Sequence, residues 1–262
     1  MIIRAYAKIN IGLDITGTRA DGYHLLDMIM QTVGLYDELE VTARDDGQVV
    51  LICDKEGVPA DESNLAVKAF RRLIPEGDER GGNIVLRKNI PSQAGLGGGS
   101  SDAAAVLKAV NELYRLGKSD KELERKAAEI GADVPFFIKG GCQRCRGTGE
   151  ILSPALDTHG DYVIIVKPQA GASTKDVYDA YDRLTEKPDC ANVLEAVTAE
   201  MFPVIRVIKE RLLSAGAEFA SMSGSGTAVF GIFREAPDKS LVSSLVRNYG
   251  QAFSVKKILS QE

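Results

Sequence analysis

Pro91-Ser92-Gln93-Ala94-Gly95-Leu96-Gly97-Gly98-Gly99-Ser100-Ser101 sets glycines and hydroxyls between a strand-forming stretch, residues 83–88, and a helix-forming one. Ser101-Asp102 reads as the cap of a helix over 103–116, in which Val106, Val110 and Leu113 fall on one face. Where side chains are missing, backbone N–H groups can approach phosphate oxygens, and the helix N-terminus adds its partial positive charge. Glycine clusters also make linkers and tight turns. The strand on one side and the helix on the other favour a phosphate cradle, and with it a nucleotide.

The rest of the composition narrows the class. At 262 residues, 44% hydrophobic and 26% charged, the chain reads as an ordinary globular protein, long enough for one large domain or two smaller ones. No apolar run reaches the roughly 18 residues that cross a bilayer. The first eight residues lack the apolar core and small-residue cleavage site of a signal peptide, so the expected location is the cytoplasm. A net charge of −5, from 32 basic and 37 acidic residues fairly evenly mixed, argues against a nucleic-acid binder. Cys142-Gln143-Arg144-Cys145-Arg146-Gly147-Thr148-Gly149 matches half of a zinc module. The second pair is missing, because Cys53 and Cys190 stand singly and far apart, so free thiols are expected rather than a four-ligand site.

Along the chain, the first third carries strand signals: 2–13, then 37–42 and 48–53 flanking Asp45-Asp46-Gly47, which reads as a hairpin. Residues 64–73 read as a helix. Ser119-Asp120-Lys121-Glu122 reads as a capping box for a helix with Leu123, Ala127 and Ile130 on one face and Gly131 as its stop. A second region begins near 157, with a strand over 162–167, helices over 177–184 and 201–214, and two strands within 219–233 around Ser223-Gly224-Ser225-Gly226. A helix over 239–249 and a strand over 253–258 complete it. Strands and helices mixed without strict alternation indicate an α+β chain of two lobes, 1–156 and 157–262.

Beside the glycine stretch stand Ala7-Lys8-Ile9-Asn10, Gly131-Ala132-Asp133-Val134-Pro135-Phe136-Phe137 and Ser221-Met222-Ser223-Gly224-Ser225-Gly226. Together these resemble the ordered motifs of the kinase superfamily named for galactokinase, homoserine kinase, mevalonate kinase and phosphomevalonate kinase, and the resemblance covers nearly the whole chain. Within it, residues 5–13, Arg19-Ala20-Asp21-Gly22-Tyr23-His24 and residues 96–104 resemble the branch acting on 4-diphosphocytidyl-2-C-methyl-D-erythritol in the non-mevalonate isoprenoid pathway. Asp21-Gly22-Tyr23-His24 is the part that other branches lack.

The resemblance implies an N-terminal lobe of the ribosomal-protein-S5-domain-2-like fold and a ferredoxin-like C-terminal lobe. It implies ATP-dependent phosphorylation of the 2-hydroxyl of that substrate, with Mg2+. It also implies a small-molecule partner carrying a cytidine diphosphate; with the mixed charge and the lack of a long apolar run, no nucleic-acid or membrane partner is expected, and the expected state is a monomer or weak homodimer. Lys8 and Asp133 fall on the catalytic lysine and aspartate, residues 91–101 on the ATP loop, and Asn10, Tyr23, His24 and Tyr178 on the substrate site.

The chemistry suits these residue types. A carboxylate can take or orient the hydroxyl proton, an ammonium can offset charge on the transferring group, and an aromatic pair can sandwich a base while a histidine bonds its edge. Residue type alone also allows Asp133 to cap the next helix, Lys8 to be a solvated strand residue, Tyr178 to be core, with Tyr181 in its place, and His24 to be an exposed loop residue. Two departures from the pattern stand out: Gln93, where small residues are common, and the cysteine-containing stretch after Gly140-Gly141.

Overall fold

The computed structural model describes residues 1–259. The chain forms two compact units that interleave in sequence. One comprises Met1–Ala7, Leu35–Ile90 and Gly97–Gly140; the other comprises Lys8–Gly34, Pro91–Leu96 and the chain from Gly141 onward. Strands β1 (Ile2–Thr18) and β2 (His24–Arg44) pair with each other, and each contributes to both units. Among the described residues no helix is long and apolar enough to cross a membrane.

In the first unit, β2 pairs antiparallel with β4 (Gly81–Arg87) from Glu38↔Arg87 to Arg44↔Gly81. Strand β3 (Val49–Cys53) lies on the far side of β4 and runs parallel to it. The hairpin expected across Asp45-Asp46-Gly47 therefore does not form, because β4 is inserted between the two strands. The turn signal is local, whereas β3 and β4 are joined through α1 (Leu65–Leu73), and a helical crossover makes neighbouring strands parallel. Asn64 caps α1 by accepting from the Ala66 N–H at 2.9 Å, and Phe70 is fully buried with its ring under Gly82, where a side chain would strike it.

Helix α2 (Gly98–Leu113) starts earlier than its sequence suggests. Gly97, in the left-handed region at φ 73°, is its N-cap, and Ser101 and Asp102 are already helical. Helix α3 (Asp120–Ala128) carries the expected Ser119/Glu122 capping box, and α4 (Val134–Lys139) follows with Phe136 and Phe137 buried.

In the second unit, β5 (Cys142–Gly147) pairs antiparallel with the first half of β2 and with β6 (Ile151–Pro154). A four-stranded antiparallel sheet runs β10-β7-β9-β8 from β7 (Tyr162–Pro168), β8 (Phe219–Met222), β9 (Val229–Phe233) and β10 (Gly250–Lys256). Helices α5 (Thr174–Tyr181), α6 (Val193–Met201) and α7 (Val204–Ser214) separate β7 from β8, and α8 (Lys239–Tyr249) separates β9 from β10. This β-α-β-β-α-β order, with the fourth strand beside the first, is the ferredoxin-like arrangement. Val163, Ile164, Ile165 and Val166 of β7 are all fully buried, which explains their unbroken apolar run.

Replacing Phe70 by Ala removes a ring that packs edge-on against Tyr114 and fills the space left by Gly82. The expected loss is about 3–5 kcal/mol of unfolding free energy, read from urea denaturation. A loss below about 1 kcal/mol would show that the site collapses without a cavity.

Candidate active site

The glycine stretch is shaped by its backbone. Gln93, Gly95 and Gly97 have φ of 50°, 71° and 73°, a conformation that costs an ordinary side chain energy and glycine almost none. The first intrahelical bond of α2 runs from the Ser101 N–H to the Gly97 carbonyl at 2.8 Å. The amides of Gly98, Gly99 and Ser100 therefore precede the ladder and point out of the helix N-terminus, where an anion is favoured. The Ser101 hydroxyl turns away to donate to the Tyr6 carbonyl at 2.6 Å and the residue is buried, while Ser100 is half-buried beside the exposed Gly99. Ser92 and Gln93 are exposed, whereas Pro91, Ala94 and Leu96 anchor the stretch in the interior.

Three of the four sequence motifs meet in the second unit. A side chain on Gly95 would run into the carbonyl of Ser223. The Ser223 hydroxyl donates to the Gly95 carbonyl at 2.8 Å and accepts the Asn10 N–H at 3.2 Å. Lys8, only 3% exposed, donates from Nζ to Asn10 Oδ1, and its backbone N–H bonds the Leu96 carbonyl at 3.0 Å. Lys8 is thus a buried cation on β1 rather than a solvated strand residue. The Ser223–Gly226 turn is held in turn by Asn192, whose Nδ2 donates to the carbonyls of Met222 and Gly224 at 2.8 Å each. Glu195 accepts from the Ser221 hydroxyl at 2.9 Å and the Met222 N–H at 2.8 Å.

Sequence reasoning missed Asn192 and Glu195 together with helix α6. The signal was present: Asn192-Val193-Leu194-Glu195 has an N-cap residue followed three positions later by Glu. Asn192 is that cap, accepting the Leu194 N–H at 3.0 Å.

Asp133, half-buried in the first unit, occupies the N-cap position of α4, yet its side chain makes no capping hydrogen bond. Pro135 in the helix's first turn removes one of the N–H groups a cap would serve. Capping therefore does not account for the carboxylate.

The other cluster surrounds His24. Its ring stacks on Tyr178 with centroids 4.7 Å apart, and Nε2 lies 2.7 Å from Asp182 Oδ1. A carboxylate accepting at Nε2 leaves neutral His24 with Nδ1 as its acceptor. Tyr178 rather than Tyr181 carries the stacked ring, and Tyr23, 66% exposed, stands outside that pair. Asp182 had no distinguishing sequence signal.

Cys142 and Cys145 sit three apart on β5 and so face opposite sides of the strand, which prevents them from chelating one ion. Burial pushes the Cys142 thiol up to about 11. No group of three or more His, Cys, Asp or Glu among the described residues is arranged to hold a metal.

Residues 64–141 match the GHMP kinases N terminal domain and residues 182–252 the GHMP kinases C terminal domain. A protein of Clostridium novyi (strain NT) named 4-diphosphocytidyl-2-C-methyl-D-erythritol kinase is 45% identical, over 89% of this chain and 91% of its own. The chain belongs to the 4-diphosphocytidyl-2-C-methyl-D-erythritol kinase family of GHMP kinases. A relative of the same name from Clostridium beijerinckii is 43% identical over the same shares. A solved 4-(cytidine 5'-diphospho)-2C-methyl-D-erythritol kinase superposes with a TM-score of 0.82 at 33% identity, covering 98% of this chain and 99% of that one. The Methanococcus jannaschii mevalonate kinase, at 0.73 and 15% identity, shares the fold. The two-lobe α+β kinase architecture expected from the sequence is thus the one found, and the protein is a small-molecule kinase.

Gly95→Ala places a methyl group against the Ser223 carbonyl in a left-handed backbone that costs about 1–2 kcal/mol for a side chain. ATP affinity measured by calorimetry should fall about tenfold or more, since that factor corresponds to only about 1.4 kcal/mol. Unchanged affinity in a folded variant would separate the Gly95–Ser223 approach from nucleotide binding.

Proposed function

We propose that the protein transfers the γ-phosphoryl group of ATP to the 2-hydroxyl of 4-diphosphocytidyl-2-C-methyl-D-erythritol, giving the 2-phosphate and ADP, in the non-mevalonate isoprenoid pathway. The observation that carries this reading is the 45% identity to the Clostridium novyi kinase over nearly its full length. The glycine stretch with its outward amides and the buried Lys8–Asn10–Ser223 network are the supporting geometry. Residues 1–156 and 157–262 form the family's two lobes in this reading. The matched domains, 64–141 and 182–252, fall on either side of that division.

Residues 91–101 receive the triphosphate. Their glycines let backbone donors approach the oxygens, and helix α2 adds its dipole. The Ser100 hydroxyl would help to hold a Mg2+ brought in with the nucleotide, which would offset the negative charge of the phosphates. Asp133 accepts or orients the proton of the acceptor hydroxyl. Lys8 supplies positive charge that counters the charge on the transferring group, and Asn10 fixes the direction of its ammonium. Phosphoryl transfer demands little covalent chemistry of the protein, so positioning and charge suffice.

The cytosine end is read by Tyr23, His24 and Tyr178. Tyr178 offers a stacking face, and Tyr23, next to His24 in sequence, the opposite wall. With Asp182 on Nε2, His24 Nδ1 accepts from the exocyclic amine of cytosine, a donor that uracil lacks. The enzyme acts on this one small molecule in the cytoplasm, as a monomer or weak homodimer, without nucleic acid.

An ADP-release assay across an acceptor panel tests the reading. Turnover is expected with the cytidyl compound, and equal turnover of mevalonate or homoserine would overturn the assignment. Asp133→Asn keeps the shape but removes the base, and should lower kcat about 10²-fold or more with ATP binding retained; near wild-type turnover would remove Asp133 from the chemistry. Tyr178→Ala should raise the KM of the cytidyl acceptor about tenfold, within the range of a lost base stack, and spare that of ATP. Equal changes in both constants would count against a base-binding role.

A further inference from the structure

Strand β2, the end of β4 and helix α2 bring Asp37, Lys88 and Asp102 into one buried cluster. Asp37 is fully buried, Asp102 is 3% exposed, and the Lys88 side chain is 7% exposed. Lys88 Nζ bonds Asp37 Oδ2 and, at 2.7 Å, Asp102 Oδ2. The other Asp37 oxygen accepts the N–H groups of Asn89 at 2.5 Å and Ile90 at 2.8 Å, the two residues that precede the glycine stretch. Asp102 follows directly after that stretch, in the first turn of α2. A single ammonium therefore ties the residues leading into the phosphate-binding stretch to those leading out of it. The same ammonium lies beneath the stretch: a Cβ on Gly98 would meet Lys88 Nζ at 3.3 Å and Ile90 Cγ2 at 3.1 Å.

Stability does not explain the second carboxylate. Asp37 alone would neutralise Lys88, and a further buried acid adds a desolvation cost that a surplus charge cannot recover. Asp102 Oδ1 is buried without a hydrogen-bond partner, which adds to that cost. Burial pushes the Asp102 carboxyl well above the usual carboxylate range. What Asp102 contributes is a fixed point on the helix side of the glycines.

We propose that Asp37, Lys88 and Asp102 are positioning residues for the nucleotide, with Lys88 fixing the two ends of the glycine stretch at the spacing its amides need to receive the phosphates of ATP. This rests on the ATP-dependent reading above. The test is Asp102→Ala, which cuts the helix-side tie but leaves Lys88 paired with Asp37, so no unpaired charge is buried. Asp102→Asn restores an acceptor oxygen of the same shape.

The Kd of ATP by calorimetry, the KM of each substrate, kcat and Tm are measured for each variant. Asp102→Ala should weaken ATP about tenfold in both Kd and KM, the effect of losing one charge-assisted bond, while the acceptor KM stays within about twofold; Asp102→Asn should recover most of the loss. A lower Tm with unchanged ATP constants would make the cluster purely structural and overturn the proposal. If the alanine variant does not fold, Asp102→Ser, too short to reach Lys88, carries the same expectation and the same refutation. Wild-type protein that binds ATP without phosphorylating the cytidyl compound would defeat the acceptor assignment and leave the cluster to be judged by the ATP constants alone. Wild-type protein that does not bind ATP would defeat both.

Discussion

The Ser223 carbonyl lies where a side chain on residue 95 would have to be. From that one close approach follows the arrangement of the second unit's chemistry. Gly95 and Ser223 exchange a hydrogen bond at 2.8 Å, Ser223 holds Asn10 through its backbone, and Asn10 holds the ammonium of Lys8. Each link buries a polar group beside its partner, so removing any of them leaves a donor or acceptor stranded in a place water cannot reach. Asn192 and Glu195 extend the chain of dependence to helix α6, whose first turn supports the Ser-Gly turn from behind.

Each unit holds a buried lysine side chain. In the second unit the Lys8 side chain is buried, and its ammonium donates to the side-chain oxygen of Asn10. In the first unit Lys88 is buried between two carboxylates, and its charge is spent on holding backbone segments.

Much of this could be read in the chain. Ser119 and Glu122 cap a helix as their types and spacing announce, and the apolar run in β7 is a strand buried on both faces. The glycine stretch also stands where a strand gives way to a helix. The failures share a cause. Asp45-Asp46-Gly47 is a good turn, but β4, more than 30 residues further on, takes the place beside β2 that a hairpin would have filled. Helix α2 begins at Gly98 because the left-handed Gly97 starts it, a backbone choice that outweighs the capping preference of Ser101 and Asp102. Asp182, Asp37 and Lys88 are ordinary surface types in sequence, and only long-range contacts make them special. Local chemistry is written locally; partnerships across 50 or 150 residues, such as Lys88 with Asp37 or His24 with Asp182, are not.

The bond between His24 and Asp182 gives the imidazole a polarity. In a neutral imidazole with a carboxylate on one nitrogen, the other is an acceptor; with a donor such as asparagine's amide or a lysine on that side, the ring would turn its proton outward and become a donor there. The hydrogen-bonding character of the second ring nitrogen is therefore decided by a residue bonded only to the first. A lineage could exchange one hydrogen-bonding pattern for its complement by a single substitution just past the C-terminus of helix α5, leaving the histidine itself as it was.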